Sequence, residues 1–317
     1  TVTRLFITNV ANTRTFDLHF DGSVMKLVGG DNGRIENEII TEEIHPAPSE
    51  RYVVELFYRD PGKYPITHRG EQIGTINVED GDNSSSNGFT DLRSNPEDYS
   101  IIRNQEDSMM ARLPDKEIRL TIEMGGMMDN MMPNMATGTD GDEIYELMGM
   151  KMTRSQAIEH CQIMPQMQEC RQFDEMTGMI MHAHQDGIEW EDLMPEMNAM
   201  STDKTVTWII EDKETGNTNM DINWKFAKGE MVKVRIFNDP DTLHPMQHPI
   251  HFHGQRFVVL ARDDVLNNNL QWKDTVLIPL GQTVDLMVDM SNPGMWMGHC
   301  HIAEHLHSGM MFHFSVE

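Results

Sequence analysis

The stretch HCHIAEHLHSGMM, residues 299–311, places one cysteine, four histidines and two methionines in thirteen positions. Donors this dense bind a metal only if a stiff scaffold aims them at one point, and that requirement constrains the fold more than any other feature of the chain. Cys300 lies five residues before His305, and Met310 lies five beyond it. Upstream, HPIHFHG supplies His248, His251 and His253. One thiolate, two imidazoles and a weak axial thioether make the trigonal set that holds a blue copper for electron transfer. His248, Cys300, His305 and Met310 fit it, with His248 arriving from a neighbouring strand. His244 is a competitor, but the His-Pro-x-His-x-His register needs His248.

Strand periodicity explains the remaining histidines. His299 and His301 flank Cys300, so on a strand they point to the opposite face, and His251 and His253 share a face in the same way. Two His-x-His pairs can then converge on a second metal site, back to back with the first and joined to it by the Cys300 backbone. A buried cysteine among surface histidines is the plainer alternative, and two independent motifs in the right order weigh against it. His307 and His313 match neither motif and read as surface or packing residues.

The rest of the chain reads as β structure. Residues 1–80 alternate in short runs (TRLFITNV, TFDLHFD, MKLVGG, RYVVELFY, TINVED) separated by the turn signals GGDNG, HPAPSE and RDPGKYP, the pattern of a sandwich with too few strands to close two sheets. Residues 81–115 are polar and turn-rich, as in a linker. Most of the 29 methionines fall in 109–200, where Thr153 is a candidate cap for a short helix over 153–173. From KTVTWIIED onward the alternation returns in MVKVRIFN, QRFVVLARD, DTVLIPL and QTVDLMVDM.

Composition closes off other classes. The balance of 51 acidic to 25 basic residues, net −26, disfavours nucleic acid and anionic membrane as partners and suits solubility or the attraction of cations. No run of eighteen apolar residues is present. Three cysteines make no disulfide framework; Cys161 and Cys170 can pair, leaving Cys300 for another role. The chain starts in a strand-like run, without an initiator Met or a charged-then-apolar leader, and so reads as a fragment or processed product. Thioethers suit cuprous ions by softness. Met124, Met127, Met128, Met131, Met132 and Met135 are the candidate Cu(I) cluster, against the plainer reading of gap-filling core residues. His160, beside Cys161, can join such a site or simply pack.

Taken together, HPIHFHG and HCHIAEHLHSGMM resemble the C-terminal cupredoxin domain of multicopper oxidases of the laccase and cuprous-oxidase type. ANTRTFDLHFDG, GGDNG and APSERYVVELF resemble the later half of that family's middle domain, and DGIEWEDLMPEMN resembles the lead-in to the last domain in bacterial or archaeal members. The resemblance implies an all-β, cupredoxin-like Greek-key sandwich, one complete domain plus part of a second. Its expected divisions are a partial middle domain over 1–108, a Met-rich insertion and linker over 109–200, and a type 1 copper domain over 201–317.

The resemblance further implies His248, Cys300, His305 and Met310 at the type 1 copper, His251 at a type 2 copper, and His253, His299 and His301 at a type 3 pair. WKDTV adds Asp274 as a carboxylate beside a type 1 histidine, where substrate approaches. In such oxidases a phenolic or aromatic substrate, or Cu(I) itself, gives up single electrons and O₂ becomes water. Four of the eight histidines of the trinuclear cluster come from an N-terminal domain that these 317 residues do not contain. His182 and His184 in MHAHQD, association with that missing part, or a homo-oligomer sharing sites could complete it. The alternative is an electron-transfer module holding only the type 1 copper. A periplasmic or secreted location is also implied.

Overall fold

The computed structural model describes residues 2–80, 88–124, 144–147, 150–153, 186–190, 202, 206–242 and 246–317. It is a cupredoxin-like all-β structure. The first eighty residues build two four-stranded sheets. One runs in the order Val2–Thr8, Arg51–Phe57, Val24–Gly30, Gly33–Thr41; the other runs Glu43–Ile44, Leu18–Phe20, Gly62–His68, Glu71–Val78. Their inward residues, among them Leu18, Phe20, Leu27, Ile44, Val54 and Leu56, form one core. Each such side chain contributes roughly 1.5–3 kcal/mol when fully buried. Three strands went unrecognised in the sequence, Gly33–Thr41, Glu43–Ile44 and Gly62–His68, and with them the segment supplies two sheets rather than too few strands for them.

The C-terminal sandwich pairs two larger sheets. One runs Val206–Asp212, Lys116–Met124, Met231–Asn238, Thr283–Asp289, Arg256–Arg262, Val265–Leu266, with Trp272–Lys273 branching from Arg256–Arg262. The facing sheet runs Asn223–Phe226, Met311–Val316, Gly294–Cys300, His248–Phe252, Thr275–Ile278. Val234, Ile236, Leu286 and Val288 from the first meet Ile250, Phe252, Phe312 and Phe314 from the second, and Cys300 and Met310 are part of the same core.

Two expected boundaries move. Lys116–Met124 was assigned to the 109–200 insertion, yet it pairs antiparallel with Val206–Asp212 and parallel with Met231–Asn238, so this strand is part of the C-terminal sandwich. The polar stretch assigned to a linker carries the short helices Ser100–Arg103 and Glu106–Ala111. Tyr99, Ile102 and Met109 from it cover the outer face of the sheet at Val258, Leu260 and Met287. That cover explains why Thr283–Asp289 is buried on both faces rather than alternating. Thr153 is the last residue of the strand Met150–Thr153, and the rest of the expected helix, 154–173, lies outside the described residues. Met127, Met128, Met131, Met132, Met135, His160, Cys161, Cys170, His182, His184 and His244 lie outside the described residues, as does the side chain of Met124. Among the described residues, no helix is long and apolar enough to cross a membrane.

The two sandwiches are joined by backbone and by charge. Glu36 donates its N–H to the Leu270 carbonyl at 2.9 Å, Asn32 to that of Trp272 at 3.1 Å, and Ile35 bridges Gln271. The Gln271 side chain lies so close over Gly30 that a Cβ there would be 1.7 Å from its Nε2. Beside this seam Arg51 grips Asp274 with two 2.6 Å hydrogen bonds, and Lys273 lies 3.3 Å from Asp31 and 3.2 Å from Glu50. Burial works to raise the Asp274 pKa, but hydrogen bonds from Arg51 and His251 and the Arg51 charge hold it well below the ordinary carboxylate range.

A depressed carboxylate stabilises the fold above its unfolded pKa, about 3.9, and loses that contribution as pH falls toward the lower folded value. Arg51→Ala is therefore expected to cost about 1–3 kcal/mol at pH 7. Denaturant titrations of both proteins should show the gap narrowing below about pH 4; a gap unchanged down to pH 3 would count against this reading.

Candidate metal centre

Register alone puts the donors where they are needed. In the facing sheet, Ile250 pairs with Cys300 and His251 with His299. His248 is two residues from Ile250, so it shares the core-facing side with Cys300, while His251 and His299 point the other way. Beyond Cys300 the chain turns into the helix Ala303–His307, which brings His305 back over the sulfur. The turn closes when Met310 donates its N–H to the His305 carbonyl at 2.9 Å and Cys300 donates to that of Met310 at 3.1 Å.

The result is a compact donor set. His248 Nδ1 and His305 Nδ1 are 3.1 Å apart, and they lie 3.7 and 3.5 Å from Cys300 Sγ. A trigonal ion with bonds of roughly 2.0 Å to nitrogen and 2.3 Å to sulfur needs spacings of about 3.5 and 3.7 Å. All three residues are buried, as is Met310. Burial pushes the Cys300 thiol far above its ordinary pKa, so a cation must displace its proton to create the thiolate. The donor chemistry fits copper.

Trp208 closes the site. Its ring stacks on His305 with centroids 3.7 Å apart at 20°, and meets His248 edge-on at 5.3 Å. In the sequence it was one apolar position in a strand and carried no sign of this role. Trp208→Phe should keep the core filled but loosen the His305 ring, weakening copper binding up to about 10-fold by competition with a chelator. Unchanged affinity would make Trp208 ordinary packing.

On the opposite face His251, His253 and His299 have ligand atoms within 4.8 Å of one another, and the His301 ring is 5.6 Å from that of His299. Hydrogen bonds set the useful tautomers. His251 Nδ1 donates to the Asp274 carbonyl at 2.8 Å, and His299 Nδ1 to that of Cys300 at 2.8 Å, so each Nε2 is left with its lone pair. His299 Nε2 faces His253 Nε2 at 3.0 Å, a spacing that a proton or a metal ion bridges. Burial, then the neighbouring imidazoles, lower the pKa values of His253, His299 and His301, that of His299 to about 4, which keeps them neutral as ligands must be. Gly254 ends the motif at φ +68°, where a Cβ would meet the Trp296 ring at 2.3 Å.

Asp274 is not where the sequence suggested. It lies against His251, with Oδ1 3.5 Å from Nδ1, rather than beside His248 or His305. The cause is register: Thr275 pairs with His251, and Phe252 donates its N–H to the Asp274 carbonyl at 3.0 Å.

Comparison with known proteins agrees with this chemistry. Residues 191–317 match the family model described as multicopper oxidase. A laccase from Neurospora crassa is 30% identical over 165 residues, 44% of this chain and 26% of its own. Laccase-1 of Melanocarpus albomyces is 31% identical over 140 residues, 36% of this chain and 22% of its own. Among solved structures, a multicopper oxidase from Campylobacter jejuni, described as a metallo-oxidase, aligns with a TM-score of 0.54 at 18% identity, over 99% of this chain and 53% of that one. At that identity the likeness establishes the fold alone. The chain thus spans about half the length of that structure, and its matches span about a quarter of the laccases. The family model and the laccase relatives support the multicopper oxidase family, and the solved structures support its fold. The bacterial or archaeal lean finds no support in these relatives: both laccases are fungal, and two more that resemble this chain are from the plant Arabidopsis thaliana.

Proposed function

We propose that this chain is the electron-accepting part of a multicopper oxidase of laccase or cuprous-oxidase type, coupling one-electron oxidation of a phenol, an aromatic amine or Cu(I) to reduction of O₂. The observation that carries the reading is the buried triad of His248, Cys300 and His305 set back to back with a second histidine cluster. Copper held by His248, Cys300, His305 and Met310 would supply one-electron redox chemistry. The protein's own part is to fix donors and exclude water: Trp208 shields His305, and the sandwich core encloses Cys300. Cys300 is bonded through its backbone to His299 and His301, a short covalent route between the two faces. In this reading His251 serves a type 2 ion, and His253, His299 and His301 serve a type 3 pair. Asp274 positions His251 and, through Arg51, ties it to the N-terminal sandwich.

One observation favours a narrower role. The described residues offer four histidines on the second face, half of what the trinuclear cluster of such oxidases takes. On that reading the chain alone is an electron-transfer module. The copper-loaded protein, mixed with a phenol or with Cu(I) and monitored for both colour and O₂ uptake, separates the two. Bleaching with continuous O₂ uptake supports the oxidase, and bleaching without uptake supports the module. A colour that no reductant bleaches would overturn both.

A further inference from the structure

We propose that Asp17, His19, Glu43 and His45 form a binding site for a single divalent transition-metal ion such as zinc, on the N-terminal sandwich and separate from the histidine clusters of the C-terminal one. Two short motifs, Asp-x-His and Glu-x-His, lie on adjacent antiparallel strands. Leu18 pairs with Ile44 and His19 with Glu43, and extending the register by one sets Asp17 across from His45. Leu18 and Ile44 point into the core, so the four polar side chains share the outer face at the corners of a square.

The distances suit an ion at its centre. His19 Nε2 lies 3.1 Å from Asp17 Oδ1 and 3.5 Å from Glu43 Oε2; His45 Nε2 lies 3.2 Å from the same Asp17 oxygen and 3.7 Å from Glu43 Oε1. A tetrahedral ion with nitrogen and oxygen bonds of roughly 2.0–2.1 Å sets its ligand atoms about 3.3–3.4 Å apart. Two imidazoles with two carboxylates are a borderline donor set that suits zinc and its neighbours.

A hydrogen-bonded polar ladder would explain the same proximity, but one atom argues against it. Asp17 Oδ1 is shut off from solvent and accepts no hydrogen bond, although both imidazole nitrogens are within hydrogen-bonding distance. The rings are therefore not aimed along N–H···O lines. A shielded carboxylate oxygen left without a donor is costly, and a cation would satisfy it.

The surroundings hold the donors in place. Asp17 donates its N–H to His68 Nδ1 at 3.0 Å, and the His45 ring meets Trp190 edge-on at 5.4 Å. Glu43–Ile44 is a two-residue strand at the edge of its sheet. An ion bridging it to Leu18–Phe20 would staple that edge down.

Equilibrium dialysis of the full chain against Zn²⁺, followed by elemental analysis, tests the site. The double variant His19→Ala/His45→Ala, which leaves the C-terminal clusters untouched, is expected to hold one zinc fewer per chain than the wild type; equal zinc content would overturn the proposal. A second readout on the wild type stands apart from the folding of that variant. Zinc should protect His19 and His45 from diethyl pyrocarbonate, read by peptide mass spectrometry, and equal modification with and without zinc would likewise overturn it.

Discussion

Lys233→Met is expected to destabilise the C-terminal sandwich by about 3 kcal/mol, more than any surface change in the chain. Lys233 is 2% exposed, on the outward side of its strand beneath the helix Glu106–Ala111. Its Nζ donates to the carbonyls of Met109 at 3.1 Å, Met110 at 3.3 Å and Arg112 at 2.9 Å, and lies 3.3 Å from Asp285. A buried ammonium thus satisfies carbonyls at the C-terminal end of a helix, the end that favours positive charge. Methionine fills the volume but donates nothing, leaving those carbonyls dry and unpaired. Asp285 keeps two hydrogen bonds from Arg235, at 2.7 and 2.8 Å, so the loss falls at the low end of the 3–5 kcal/mol typical of a broken buried pair. Urea unfolding followed by circular dichroism measures it; a loss below about 1 kcal/mol would mean that water reaches the helix end.

Cys300→Ser carries the largest effect on function. The hydroxyl that replaces the thiol is hard and stays protonated, so the set loses the soft anion that selects copper. Changes behind a ligand already cost about 10–100-fold in metal affinity, and removing the ligand itself should cost more. The fold should survive, because His248 and His305 stand where they can accept the new hydroxyl's hydrogen bond. The expected outcome is a folded, colourless protein whose copper affinity at the triad drops more than about 100-fold. A variant that keeps a blue Cu(II)–thiolate absorption would show that the sulfur involved is not Cys300.

The grouping of donors at the candidate metal centre was legible in the sequence because its information is local. Two short motifs carry the donors, and the two-residue period of a strand sorts them onto faces. The parts that went unseen depend on partners far along the chain. Gly33–Thr41 looks too charged for a sandwich strand, yet Glu36 and Glu38 are buried because Arg103 and Arg93 reach them from the segment read as a linker. Gly62–His68 carries Gly and Pro, which read as a turn, whereas Pro65 is accommodated opposite Thr75. Lys116–Met124 finds its parallel partner only after the whole methionine-rich stretch has passed, and no window along the chain shows that pairing. Asp274 is expected from the sequence beside a type 1 histidine and lies against His251 instead, since register decides which ring it meets. The same holds for Asp17, His19, Glu43 and His45, whose two motifs are unremarkable until strand pairing squares them.

The central claim is that Cys300, with His248 and His305, holds copper. X-ray absorption at the copper edge, on the wild-type chain loaded with Cu(II) and dialysed, tests it most directly when paired with elemental copper content and visible colour. At least one copper per chain, with one short sulfur bond, two imidazole nitrogens and blue absorption, is the predicted result. Copper bound only through nitrogen and oxygen, in a protein that stays colourless, would contradict it.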